Sequence, residues 1–123
     1  RDLSAADAFR GIYRLRALAR QAEAAMAGLE LLCVPTVPTL YGRGDLQADP
    51  VGPNSRLGTY TNFVNLLDLC GIAVPTAARP DGRPGSVTLL GRAGQDALCA
   101  AAAPAILLVR AARRPDNCLS SPS

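Results

Sequence analysis

Few side chains in this sequence can move a proton or attack an electrophile: four cysteines, three tyrosines, the serine and threonine hydroxyls and ten carboxylates. Histidine is absent, and because all 13 basic residues are arginine, so is lysine. Those gaps exclude a histidine general base, a Ser-His-Asp triad, a lysine nucleophile and a Ser-Lys pair within these 123 residues. Asp45 and Asp49 share a local neighbourhood, but nothing beside them resembles a matched acid and base. Cys33, Cys70, Cys99 and Cys118 are widely separated, form no CxxC pair and have no histidine to complete a zinc site. The sequence therefore calls for no metal and no cofactor. The first three cysteines sit in apolar runs and read as small buried hydrophobes.

Composition sets the frame around those residues. Hydrophobic residues make up 49% and charged residues 19%, too apolar for a disordered chain, with no uncharged run long enough for a membrane span. A soluble globular domain, or one piece of a larger one, is the expectation. The net charge is only +3, and Arg10, Arg14, Arg16 and Arg20 read as the solvated face of a helix. Trp is missing and five aromatics remain, so neither a nucleic acid nor a membrane is expected as a partner. No signal or transit segment is recognisable, which points to a reducing, cytoplasmic setting.

The elements that must position the candidate residues follow from periodicity and turn chemistry. Ser4-Ala-Ala-Asp7 has capping-box character, and Phe9, Ile12, Leu15, Leu18, Ala22, Ala25, Met26 and Leu29 recur at spacings of three and four. A helix from about Ser4 to Gly28 is expected, with one face buried. Leu29-Glu-Leu-Leu-Cys-Val-Pro35 reads as a central strand covered on both faces. The Gly- and Pro-containing stretch 42–53 reads as a loop. Asn54 to Cys70 reads as a second, largely buried helix capped by Gly71. Ile72-Ala-Val-Pro75 and Ser86-Val-Thr-Leu-Leu90 are expected as strands joined by the turn Arg79-Pro-Asp-Gly-Arg-Pro84. A third helix begins near Gln95 and is expected to be interrupted at Pro104. Residues 113–123 read as a disordered tail. The order is that of an α/β fold.

Particular runs carry a resemblance. They are Phe9-Arg-Gly-Ile-Tyr-Arg-Leu15, Leu32-Cys-Val-Pro-Thr-Val-Pro-Thr-Leu-Tyr41, Ala48-Asp-Pro50, Asn54 through Gly71, and the unit from Arg79 to Leu90. Together they resemble the amidase signature family, and the long run from Asn54 to Gly71 is most similar to its allophanate hydrolases. The resemblance covers about residues 4–98. It departs at Gly85-Ser86-Val87, where family members usually place glycine directly before the valine, and from Ala100 onward.

The resemblance implies the C-terminal portion of an amidase domain over residues 1–112, as part of an α/β/α sandwich with a mixed sheet. It also implies hydrolysis of allophanate to ammonia and carbon dioxide in urea breakdown. Family members use a Ser-Ser-Lys triad from the N-terminal part of the domain, so no catalytic residue is carried onto this sequence. The implied partners are that N-terminal part and a small-molecule amide; a homo-oligomer stays open. Thr36, Tyr41, Arg56, Tyr60, Thr61 and Asn62 are the candidate pocket residues, offering hydroxyl, amide and guanidinium groups to a small polar molecule. Each also has a structural reading, as a helix cap, a strand-end partner or, for Arg56, an ion pair with Asp49 or Asp68. The alternative to an amidase part is a non-catalytic remnant or interaction module derived from one.

Overall fold

The computed structural model describes residues 2–112. The opening helix α1 (Ala5–Ala25) starts where the sequence places it. The Ser4 hydroxyl accepts the Asp7 N–H at 3.2 Å, and the Asp7 carboxylate accepts the Ser4 N–H at 3.0 Å, so two orphan donors are satisfied reciprocally. Gly28, with φ of +85°, turns the chain out of the helix. The apolar face of α1 is not buried as expected. Phe9 is 60% exposed, Ile12 and Leu18 are also exposed, and Met26, just past the helix, is the buried residue of the series.

Three strands form one antiparallel sheet in the order β1-β3-β2: β1 (Leu32–Pro35), β2 (Cys70–Thr76) and β3 (Gly85–Gly91). The α/β class is as expected, but the central place belongs to β3, and β1 is an edge. The reason lies in β3 itself, whose Thr88-Leu-Leu-Gly91 run is buried throughout, while Cys33 and Pro35 on β1 are exposed. The β2–β3 hairpin forms around the expected turn, with Asp81 accepting the Arg83 N–H at 3.1 Å. Gly85 starts β3 opposite Thr76, and a Cβ there would meet the Thr76 hydroxyl at 2.5 Å and the Ala77 carbonyl at 2.7 Å. Close strand approach therefore explains the glycine at 85.

Between β1 and β2 the chain differs most from expectation. The stretch read as a loop contains α2 (Arg43–Ala48), whose entrance is held by the Asp45 carboxylate accepting the Gly42 N–H at 2.8 Å. The expected second helix is two short ones, α3 (Gly52–Leu57) and α4 (Asn62–Leu66). The break falls at Gly58-Thr59-Tyr60-Thr61, where the Thr59 hydroxyl donates to the Arg56 carbonyl at 2.7 Å and competes with the helical ladder. Leu66 is 61% exposed, so this segment is not largely buried. Gly71 lies inside β2, and the left-handed residue before the strand is Asp68, with φ of 54°.

The final helix α5 (Asp96–Ala112) continues through Pro104 without interruption. Pro104 cannot donate to the Ala100 carbonyl, but both residues are exposed, so the freed acceptor lies on the solvent side of the helix. The inner face of α5 covers one side of the sheet, joining Ala103 to Val74 and Leu89, with Ile72, Val87 and Ile106 packed around them. No helix among the described residues is long and apolar enough to cross a membrane. The expected tail, residues 113–123, lies outside the described residues, as does Cys118.

Two predictions follow from this packing. Leu89→Ala, in the sheet–α5 core, is expected to destabilise the fold by about 2–5 kcal/mol, read as a lower urea midpoint or loss of a cooperative transition; an unchanged midpoint contradicts the core assignment. The hydrogen bond from Ser4 and the Arg10 guanidinium lower the Asp7 pKa from 3.8 to about 2. A depressed carboxylate pKa contributes stability above the unfolded value that is lost as pH falls through the folded one. Carboxyl NMR is thus expected to titrate Asp7 near 2, with the first turn of α1 loosening between roughly pH 4 and pH 2; titration near 3.8 removes the cap from the account.

Candidate functional site

The strand register sorts side chains onto two faces. Ile72 pairs with Leu89 and Val74 with Val87, and these point toward α5. Gly71 pairs with Leu90 and Ala73 with Thr88, and these point to the opposite side. There the small side chains of β2 leave a groove of about 550 Å³, floored by Gly71, Ala73, Thr88 and Leu90 and walled by Thr61, Asn62 and Asn65 among others. The sheet supplies a rigid floor. The break between α3 and α4 supplies the polar wall.

Three of the six candidate residues meet in or beside this groove. Thr61 and Asn62 line it directly. Thr36, just past β1, reaches it through Thr88: the Thr88 hydroxyl donates to the Thr36 hydroxyl at 3.0 Å. Asn62 also sits against Gly58, where any Cβ would collide with its amide, so the break and the wall are mutually dependent. Thr88 is 7% exposed and escaped the sequence reading, as did Asn65. The signal for Thr88 was a lone hydroxyl in the apolar run Val87-Thr-Leu-Leu90.

Tyr41 and Arg56 form a separate pair. The Arg56 guanidinium stands over the Tyr41 ring, 5.8 Å from its centroid, within cation–π range. Neither Asp49 nor Asp68 is in ion-pair contact with Arg56 among the described residues, so the ion-pair reading of Arg56 is not met and its partner is the Tyr41 ring. Asp49 serves its own backbone instead, accepting the Gly52 N–H at 2.9 Å and the Val51 N–H at 3.1 Å. Those bonds lower its pKa, with a smaller contribution from Arg56. The two carboxylates that share a local sequence neighbourhood, Asp45 and Asp49, are thus both committed to helix entrances. Tyr60 stands at the break between α3 and α4, 37% exposed.

Chemically, the groove offers hydroxyl and amide groups that orient a polar molecule, with neutral side chains throughout its lining. No cluster of three or more His, Cys, Asp or Glu at metal-binding distance occurs among the described residues. Cys33 is exposed on β1, contrary to the buried reading, because β1 is an edge strand; Cys99 is buried and Cys70 half-buried.

No family model matches the chain. Urea amidolyase of Lachancea kluyveri is 44% identical over 88 residues, which is 72% of this chain and 5% of that protein. Urea amidolyase of Saccharomyces cerevisiae is 40% identical over 89 residues, again 72% of this chain and 5% of the relative. Among solved structures, a selenomethionine form of Kluyveromyces lactis allophanate hydrolase superposes with a TM-score of 0.84 at 35% identity, covering 97% of this chain and 19% of that one. A variant of the same enzyme gives 0.82 at 37%, covering 88% and 18%. The chain thus spans a small part of each protein it matches.

Replacing Thr36 by Val leaves the buried Thr88 hydroxyl without its acceptor. A loss of about 1–3 kcal/mol is expected in denaturant titration; a neutral result detaches Thr36 from the groove.

Proposed function

Because this chain is an allophanate hydrolase-like amidase region, we propose that it forms the C-terminal part of an amidase-signature domain that hydrolyses allophanate to ammonia and carbon dioxide. The observation that carries this reading is similarity to allophanate hydrolase over most of the chain, at 35% identity and a TM-score of 0.84. In this proposal the chain supplies groove residues and part of the sheet, and the catalytic lysine comes from outside these 123 residues, which contain none.

Exposed apolar surface supports the need for the rest of the domain. Phe9, Tyr13 and Leu66 are each at least 60% exposed, and both edge strands of the sheet have a free side among the described residues. The remainder of the domain covers these surfaces. Thr61, Asn62 and Thr36 then orient the polar amide substrate, and the separate Tyr41–Arg56 pair and Tyr60 are further polar groups that the completed pocket can draw on. The setting is cytoplasmic.

Ammonia release from allophanate tests the division of labour. The 123-residue chain alone is expected to release none, and mixing it with a separately produced N-terminal part of an allophanate hydrolase is expected to restore release. Turnover by the chain alone would falsify the claim that the catalyst lies elsewhere. Association of the two parts without any turnover favours the interaction-module reading.

A further inference from the structure

We propose that Cys70 and Cys99 form an oxidisable dithiol, which hydrogen peroxide converts into an intramolecular disulfide that locks α5 to the β2–β3 hairpin. Their sulfurs lie 3.8 Å apart although the residues are separated by 29 positions. Cys70 opens β2 opposite Gly91, on the sheet face that packs against α5. Cys99 lies in the first turn of α5, its N–H donating to the Gln95 carbonyl at 3.0 Å. A Cβ at Gly91 would stand 3.1 Å from the Cys99 sulfur, so the strand's glycine leaves that sulfur room beside Cys70. The proximity is built by the core of the fold rather than by a mobile segment.

The two thiols are not equivalent. Cys99 is 1% exposed, whereas Cys70 is half-buried and donates its S–H to the Arg92 carbonyl at 3.2 Å. Burial, followed by the contact with Cys70 and the charge of Asp96, raises the Cys99 pKa. Cys70 is therefore the sulfur a small oxidant reaches first. Its thiolate attacks one peroxide oxygen, the O–O bond breaks, and the departing hydroxide takes a proton to leave as water. The Cys99 sulfur then attacks the Cys70 sulfenic acid. The S–O bond breaks, and the hydroxide leaves as water with the proton from Cys99. Two thiols are oxidised and one peroxide is reduced to water. Cys33, exposed on the opposite edge strand, has no thiol partner among the described residues.

The test is peroxide treatment of the native chain, followed by alkylation, digestion and mass spectrometry. A Cys70–Cys99 linked peptide is expected, with a thermal transition raised by roughly 10 °C and returned by dithiothreitol. In Cys99→Ala the link is expected to vanish and Cys70 to be trapped by a sulfenic-acid probe. Cys70→Ser, at the more exposed position, is the second variant should Cys99→Ala fail to fold, and in it Cys99 is expected to stay unoxidised. Links to Cys33 or Cys118 in comparable yield, over-oxidation of Cys70 without a link, or the same yield from urea-unfolded chain would each overturn the proposal.

Discussion

The structure depends on one strand that is paired along both edges and packed against α5 on one face. β3 is hydrogen-bonded to β1 along one edge and to β2 along the other, and its residues from Thr88 to Gly91 are buried. Alternation on a pleated strand sends Val87 and Leu89 toward α5 and Thr88 and Leu90 toward the groove. A shift of one residue in pairing would exchange those sets, exposing the α5 core and burying the groove's hydroxyl without Thr36. Core and candidate site are thus set by one register.

That register also explains where the buried residues gather. The buried core lies where α5 meets β2 and β3, and it is here that the two thiols approach. The apolar stripe of α1 has no such partner. Its lower part meets Phe63, Leu66 and Leu67 across an open apolar groove, while Phe9 and Tyr13 stand in solvent. Exposed aromatic rings on α1 represent unburied area that a folded chain of this size ordinarily covers. The arrangement is that of a segment of sandwich, with one side of its sheet packed and the other open.

What the sequence disclosed depended on whether the deciding interaction was local. The capping box at Ser4 and Asp7, the glycine exit at 28 and the Asp81-centred hairpin are all settled within a few residues, and all were legible. The rank of strands was not. An apolar run such as Leu29 to Val34 looks central until a more completely buried strand takes that place, and this choice rests on pairings across more than fifty positions. The same holds for Thr88, whose hydroxyl looked ordinary until Thr36 arrived from 52 residues away. Pro104 misled for the opposite reason: its local cost is real, but tertiary packing of α5 on the sheet outweighs a lost bond on the solvent side.

The break at Gly58–Thr61 joins fold and site most directly. A continuous helix from Asn54 to Cys70 would run about 25 Å at 1.5 Å per residue, carrying its polar residues around all sides of a rod. Breaking it lets α4 lie against β2 while the chain before it turns away. Thr61 and Asn62 then fall on the side that faces Ala73 and Thr88. The cluster of hydroxyl and amide groups that makes a poor helix interior is the same cluster that walls the groove. Weak local helix preference is therefore a condition of the site's geometry, and strengthening it at Gly58 would drive a side chain into Asn62.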